Sequence, residues 1–134
     1  MEYLIGVGLA AIVCTFAMLV GFDRDRVFYP TLVTVIATYY ILFAVIGSSM
    51  RALVLESLIA GAFLALAVVG FKKNLWLIVA ALAAHGVFDF LHRLFIQNPG
   101  VPSWWPRFCF SFDVLAGGFL AMLLLRRSRF ASKV

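Results

Sequence analysis

The sequence predicts an all-α integral membrane bundle of five transmembrane helices, folded as a single domain over residues 1–134, and three observations carry that reading. Of the 134 residues, 65% are hydrophobic and 13% charged, against roughly 45–50% and about 25% in soluble domains. Mean hydropathy is +1.08, which leaves too little polar sequence to coat a water-soluble globule and too much apolar sequence for a disordered chain. Charges and turn residues divide the chain into five apolar stretches near 2–21, 28–47, 52–71, 75–96 and 107–125. Each is close to the ~20 residues a helix needs to cross about 30 Å of hydrocarbon.

The stretches follow from their borders. The first starts at Met1-Glu2 with neither a basic leader nor a small-residue cleavage pattern, so it reads as a retained helix rather than a signal peptide. It stops at Gly21-Phe22-Asp23-Arg24-Asp25-Arg26, the second at Gly47-Ser48-Ser49-Met50-Arg51, and the third at Phe71-Lys72-Lys73-Asn74. The fourth runs into a loop rich in proline and tryptophan, Gln97-Asn98-Pro99-Gly100-Val101-Pro102-Ser103-Trp104-Trp105-Pro106. The fifth ends in Arg126-Arg127-Ser128-Arg129. Every border carries a turn or charge signal. Gly117-x-x-x-Ala121 and Ala80-x-x-x-Ala84 are spacings of small residues that let helices approach closely within one bundle.

The net charge of +5 reads as a topology determinant rather than as a nucleic-acid surface. Alternating loops sort Arg24, Arg26, Lys72, Lys73, Arg126, Arg127, Arg129 and Lys133 to one side and Arg51, Arg93 and Arg107 to the other. The positive-inside rule then sets the C-terminus in the cytoplasm and the N-terminus outside, with Trp104 and Trp105 in an outer aromatic belt. Membrane lipids are the expected partners, the basic C-terminal end favouring anionic headgroups. Five helices can close a bundle alone, so a homodimer is compatible but not required. Cys14 and Cys109 lie far apart within apolar runs, which supports neither a disulfide framework nor a C-x-x-C redox motif.

Five ionisable residues remain inside the spans without an evident structural need: Glu56 in the third, His85, Asp89 and His92 in the fourth, and Asp113 in the fifth. Such residues are costly in hydrocarbon and mark function by default. His85, Asp89 and His92 stand at i, i+4 and i+7, within about 60° of arc on one helix face. Ile78, Ala81 and Leu82 continue that face toward the cytoplasm, so the polar stripe fills only the outer half of the helix. It describes a pocket rather than a through-channel. Counting from the span ends sets Glu56, Asp89 and Asp113 at one level, roughly 6–11 Å deep at 1.5 Å per residue. Tyr39 and Tyr40 reach the same layer from the second span.

Two imidazoles and three carboxylates are the ligand inventory of a site for one or two divalent transition-metal ions, zinc, iron or manganese. The expected ligands are His85, Asp89, His92, Asp113 and Glu56, with Asp113 as ligand or bridge and Glu56 as general base or further ligand. Glu56 and Asp113 are therefore the expected catalytic carboxylates. Arg93 and Arg107 would grip an anionic headgroup at the mouth, beside Tyr39 and Tyr40. Cys109, one turn from Asp113, is a further thiol on that side, although a buried small residue is the commoner role. The favoured activity is a membrane-embedded, metal-dependent hydrolase acting on a lipid or amphiphile from the outer leaflet.

Three other readings use the same residues. One is a carrier or channel for metal ions or protons, which the apolar inner halves of the third to fifth spans disfavour. Another is a metal-free proton relay or acid–base pair. The last is a structural or binding subunit in which Asp89 pairs with Arg93, Asp113 with Arg107 or Arg93, and Glu56 with Arg51.

The segment from Leu75 to Leu125, above all His85-Gly86-Val87-Phe88-Asp89-Phe90-Leu91-His92, the Asn98–Pro106 loop and Phe112-Asp113-Val114, resembles a family of small bacterial integral-membrane proteins of unknown function. That resemblance implies a bacterial inner, or cytoplasmic, membrane location and brings no activity, substrate or cofactor with it. The markers of better-known small membrane folds are missing: a carboxylate in the first span for drug exporters, and C-x-x-C for vitamin K reductases and disulfide-generating enzymes.

Overall fold

The computed structural model describes residues 1–131 and contains five helices among them: α1 (Glu2–Val20), α2 (Phe28–Ile46), α3 (Met50–Lys72), α4 (Trp76–Phe95) and α5 (Trp105–Ala131). All five are long and apolar enough to cross a membrane. Their outward faces carry large apolar side chains such as Leu4, Leu19, Leu58 and Leu94, all exposed on the bundle surface. Lys133, one of the basic residues assigned to the cytoplasmic side, lies outside the described residues.

Local chemistry explains the ends. Gly21 takes a left-handed conformation, φ 90°, that closes α1 with its N–H on the Ala17 carbonyl. Pro30 sits in the first turn of α2, where a missing N–H costs nothing. Ser49 caps α3 by accepting from the Ala52 N–H at 3.3 Å, which starts the helix at Met50, two residues before the expected start. Asn74 accepts from the Trp76 N–H at 2.9 Å at the start of α4. α5 differs most from expectation. It begins at Trp105, with Pro106 tolerated in its first turn, and continues past the apolar stretch to Ala131, because Arg126, Arg127 and Arg129 are good helix formers.

α4 is the central element, packed between α3 and α5 and also touching α2, while α2 lies against α3 and α1 against α5. All five helices feed one core, with Ala10 and Cys14 from α1, Val33 and Ala37 from α2, Phe63 from α3, Leu82 from α4 and Ala116 from α5. Small residues set the spacing. A Cβ on Gly117 would lie 3.4 Å from Leu82 Cβ, so α4 and α5 are in close contact there. Ala80 and Ala84, the other small pair, face outward.

Candidate metal centre

α4 carries the polar stripe along its buried side, and the helices on either side supply the rest. His85, Asp89, His92, Glu56 and Asp113 are all buried, between 0% and 2% exposed. Toward the α3–α4 turn, Ile78, Ala81 and Leu82 bury the same face with apolar atoms, so the stripe is closed at that end.

The deeper part joins α4 to α5. His85 Nδ1 lies 2.7 Å from Asp113 Oδ2 and 3.3 Å from Asp89 Oδ2. One ligand atom from each of the three residues falls within 4.8 Å of the others, a spacing that can hold a metal ion. Gly86 packs against α5 here, where a Cβ would lie in van der Waals contact, 3.4 Å, with both Asp113 Cβ and the Phe110 carbonyl. Phe63 closes the opposite side, edge-on to His85 at 4.8 Å between ring centres. Both oxygens of Asp89 and Oδ1 of Asp113 are buried without a hydrogen-bond partner. A buried acceptor left unpaired is costly, and these three point to a cation or a proton donor among them.

The shallower part joins α4 to α3. His92 Nε2 lies 2.7 Å from Glu56 Oε1. The loop residue Asn98 donates from Nδ2 to that oxygen and to the Tyr40 carbonyl, each at 3.1 Å, and its Oδ1 accepts from the Gly100 N–H at 3.2 Å. Those partners settle the amide orientation, because a carbonyl needs a donor and an N–H needs an acceptor. Glu56 Oε1 is then an acceptor, so the Nε2–H of His92 donates to it. Its other ring nitrogen, Nδ1, is buried and has no partner. Tyr40 stacks on the imidazole at 4.3 Å and 27° between planes.

A groove of about 580 Å³ leads to this shallow part from the proline-loop end, lined by His92, Arg93, Gln97, Asn98 and Val101 among others. The loop itself is docked: Pro99 and Gly100 lie on Gly47 at the end of α2, and a Cβ on Gly100 would overlap the Phe43 carbonyl.

The structure thus divides the five expected ligands into two neighbouring clusters. His85, Asp89 and Asp113 form the three-residue group, while His92 and Glu56 form a pair of their own, nearer the loop. Asp89 and Asp113 both meet His85, whereas Glu56 is joined to His92. Among the described residues no arginine or lysine lies within 4.0 Å of a carboxylate, so the arginine pairings considered for Asp89, Asp113 and Glu56 are not formed. Of the two tyrosines only Tyr40 enters the layer. Tyr39 is 37% exposed and packs on Trp105 at 5.1 Å, because consecutive helix residues diverge by about 100°. Cys109 is a buried free thiol. Arg107 is exposed on the first turn of α5 and does not line the groove. Asn98 was not foreseen: Asn98-Pro99-Gly100 reads as turn chemistry, and nothing in the sequence ties it to Glu56. Compared with known proteins, the chain matches no family model, no curated protein and no solved structure.

Proposed function

We propose that the protein is a multi-pass bacterial inner-membrane hydrolase for a lipid or amphiphile, using one divalent transition-metal ion, zinc, iron or manganese, held by His85, Asp89 and Asp113. The single observation that carries this reading is the meeting of one imidazole and two carboxylates within 4.8 Å, with three carboxylate oxygens left unpaired. One nitrogen and two oxygen donors suit these metals, and three protein ligands leave a position for water. The ion's contribution is to bring the pKa of that water to about 7. Asp113 and Asp89 are ligands, and Glu56 holds in place His92, which lines the groove and serves as the base. Topologically, the proline-loop end faces outward and the end bearing Arg24, Arg26, Lys72, Lys73, Arg126 and Arg127 faces the cytoplasm. The apolar closure beside Ile78 and Leu82 disfavours the carrier reading.

The test is elemental analysis of the purified chain after washing off loosely bound ions. About one equivalent of a transition metal is expected in the wild type and a clear loss in Asp89→Asn. Less than about a tenth of an equivalent, with none taken up on reloading, overturns the reading.

A further inference from the structure

A second cavity lies beside the groove at the proline-loop end. It measures about 390 Å³ and sits between the start of α3 and the end of α4. Arg51 from α3 and Arg93 from α4 both line it, with Ser49, Gln97 and the apolar side chains of Leu94 and Phe95. Neither guanidinium has a carboxylate within ion-pair distance among the described residues. Both side chains are exposed, and two like charges brought to one cavity from different helices, without a counter-charge, favour an anion from outside the chain. The same place is the N-terminus of α3. There Ser49 takes the Ala52 and Leu53 N–H groups, and the helix end adds a dipole favourable to an anion.

The geometry points to a binding site for the phosphomonoester head of an amphiphile, held by Arg51 and Arg93. This rests on the hydrolase reading and names its substrate class. A phosphomonoester carries close to two negative charges at neutral pH, which two guanidiniums neutralise, whereas a carboxylate or phosphodiester would leave one uncompensated. Each guanidinium fork matches phosphate oxygens two at a time. The apolar part follows from Leu94, 78% exposed, and Phe95 on the cavity rim. Arg93, Ile96 and Gln97 line both this cavity and the groove that ends at His92, so a head held here sets the neighbouring bonds of the molecule toward the proposed base. Arg51 thereby takes the place expected for Arg107.

The experiment is calorimetric titration of the full chain in detergent with dihexanoyl phosphatidate, inorganic phosphate and dihexanoyl phosphatidylcholine. Saturable binding of the phosphatidate is expected, weakened about tenfold or more by Arg51→Gln and by Arg93→Gln. Arg51→Lys should fall between, and Arg107→Gln should bind as the wild type does. Equal affinity for inorganic phosphate would overturn the amphiphile assignment, and equal affinity for phosphatidylcholine the monoester assignment. Unchanged binding in Arg51→Gln/Arg93→Gln would overturn the site itself. Chelator-treated wild type should bind phosphatidate with the same affinity as untreated protein, so a missing metal and a missing anion site give different results.

Discussion

His92 and Glu56 tie α4 to α3 through a 2.7 Å contact between Nε2 and Oε1, both side chains being 1% exposed. Removing one partner strands the other in a dry interior. Glu56→Ala is expected to cost about 3–5 kcal/mol of stability, the range for breaking a buried pair. Glu56→Gln, which keeps an oxygen for Asn98 and His92, should cost less. The double variant Glu56→Leu/His92→Leu should recover most of the loss, since apolar substitutes match buried pairs. Thermal unfolding in a fixed detergent reads all three. An equal loss in the double variant and in Glu56→Ala would show that the pair carries more than mutual compensation.

Metal binding to His85, Asp89 and Asp113 should stabilise the folded chain. With ion at a hundred times its dissociation constant, the gain is about 2.7 kcal/mol. Chelation should therefore lower the unfolding temperature reversibly. Asp89→Asn and Asp113→Asn should abolish the response to added zinc or manganese, and Tyr39→Phe should retain it because that side chain faces away from the cluster. A response of wild-type size in Asp113→Asn would exclude the three-residue site.

Asn98 holds the proline loop to the bundle with two donated bonds and one accepted. Asn98→Ala leaves the Gly100 N–H unpaired and takes a second donor from Tyr40's carbonyl, which keeps its helical partner in α2, and is expected to cost about 1–3 kcal/mol. Limited proteolysis should then cut within residues 97–106 faster than in the wild type. Asn98→Asp should be worse than alanine, because it sets a second carboxylate against Glu56.

Gly100 and Gly61 offer a matched contrast. A Cβ on Gly100 would overlap the Phe43 carbonyl, whereas one on Gly61, in the middle of α3, would meet nothing within 4 Å. Gly100→Ala should destabilise by about 1–3 kcal/mol as an overpacked contact does. Gly61→Ala should be neutral or stabilising by up to about 1 kcal/mol, as expected for alanine replacing glycine in an open helix position. Unfolding temperatures of the two variants, measured side by side, check both signs.

Composition and hydropathy alone determined that this chain makes five apolar helices, because a span needs only length and few charges, and both are local. The phase of the α4 stripe was equally legible: 100° per residue puts His85, Asp89 and His92 on one face, and the same arithmetic makes Ile78, Ala81 and Leu82 its apolar continuation. What the sequence could not decide is which carboxylate meets which histidine. Counting residues from a span end locates depth only to within about a helical turn, and one turn is the difference between Glu56 meeting Asp89 and meeting His92. Helix rotation likewise separated Tyr40, stacked on His92, from Tyr39 on the surface. Arg51 and Arg93 are 42 residues apart by their numbers, and Asn98 meets Glu56 across a similar stretch. Only the packing of α3 against α4 and the docking of the proline loop on Gly47 bring those groups together, because contacts between distant segments depend on the position and rotation of whole helices.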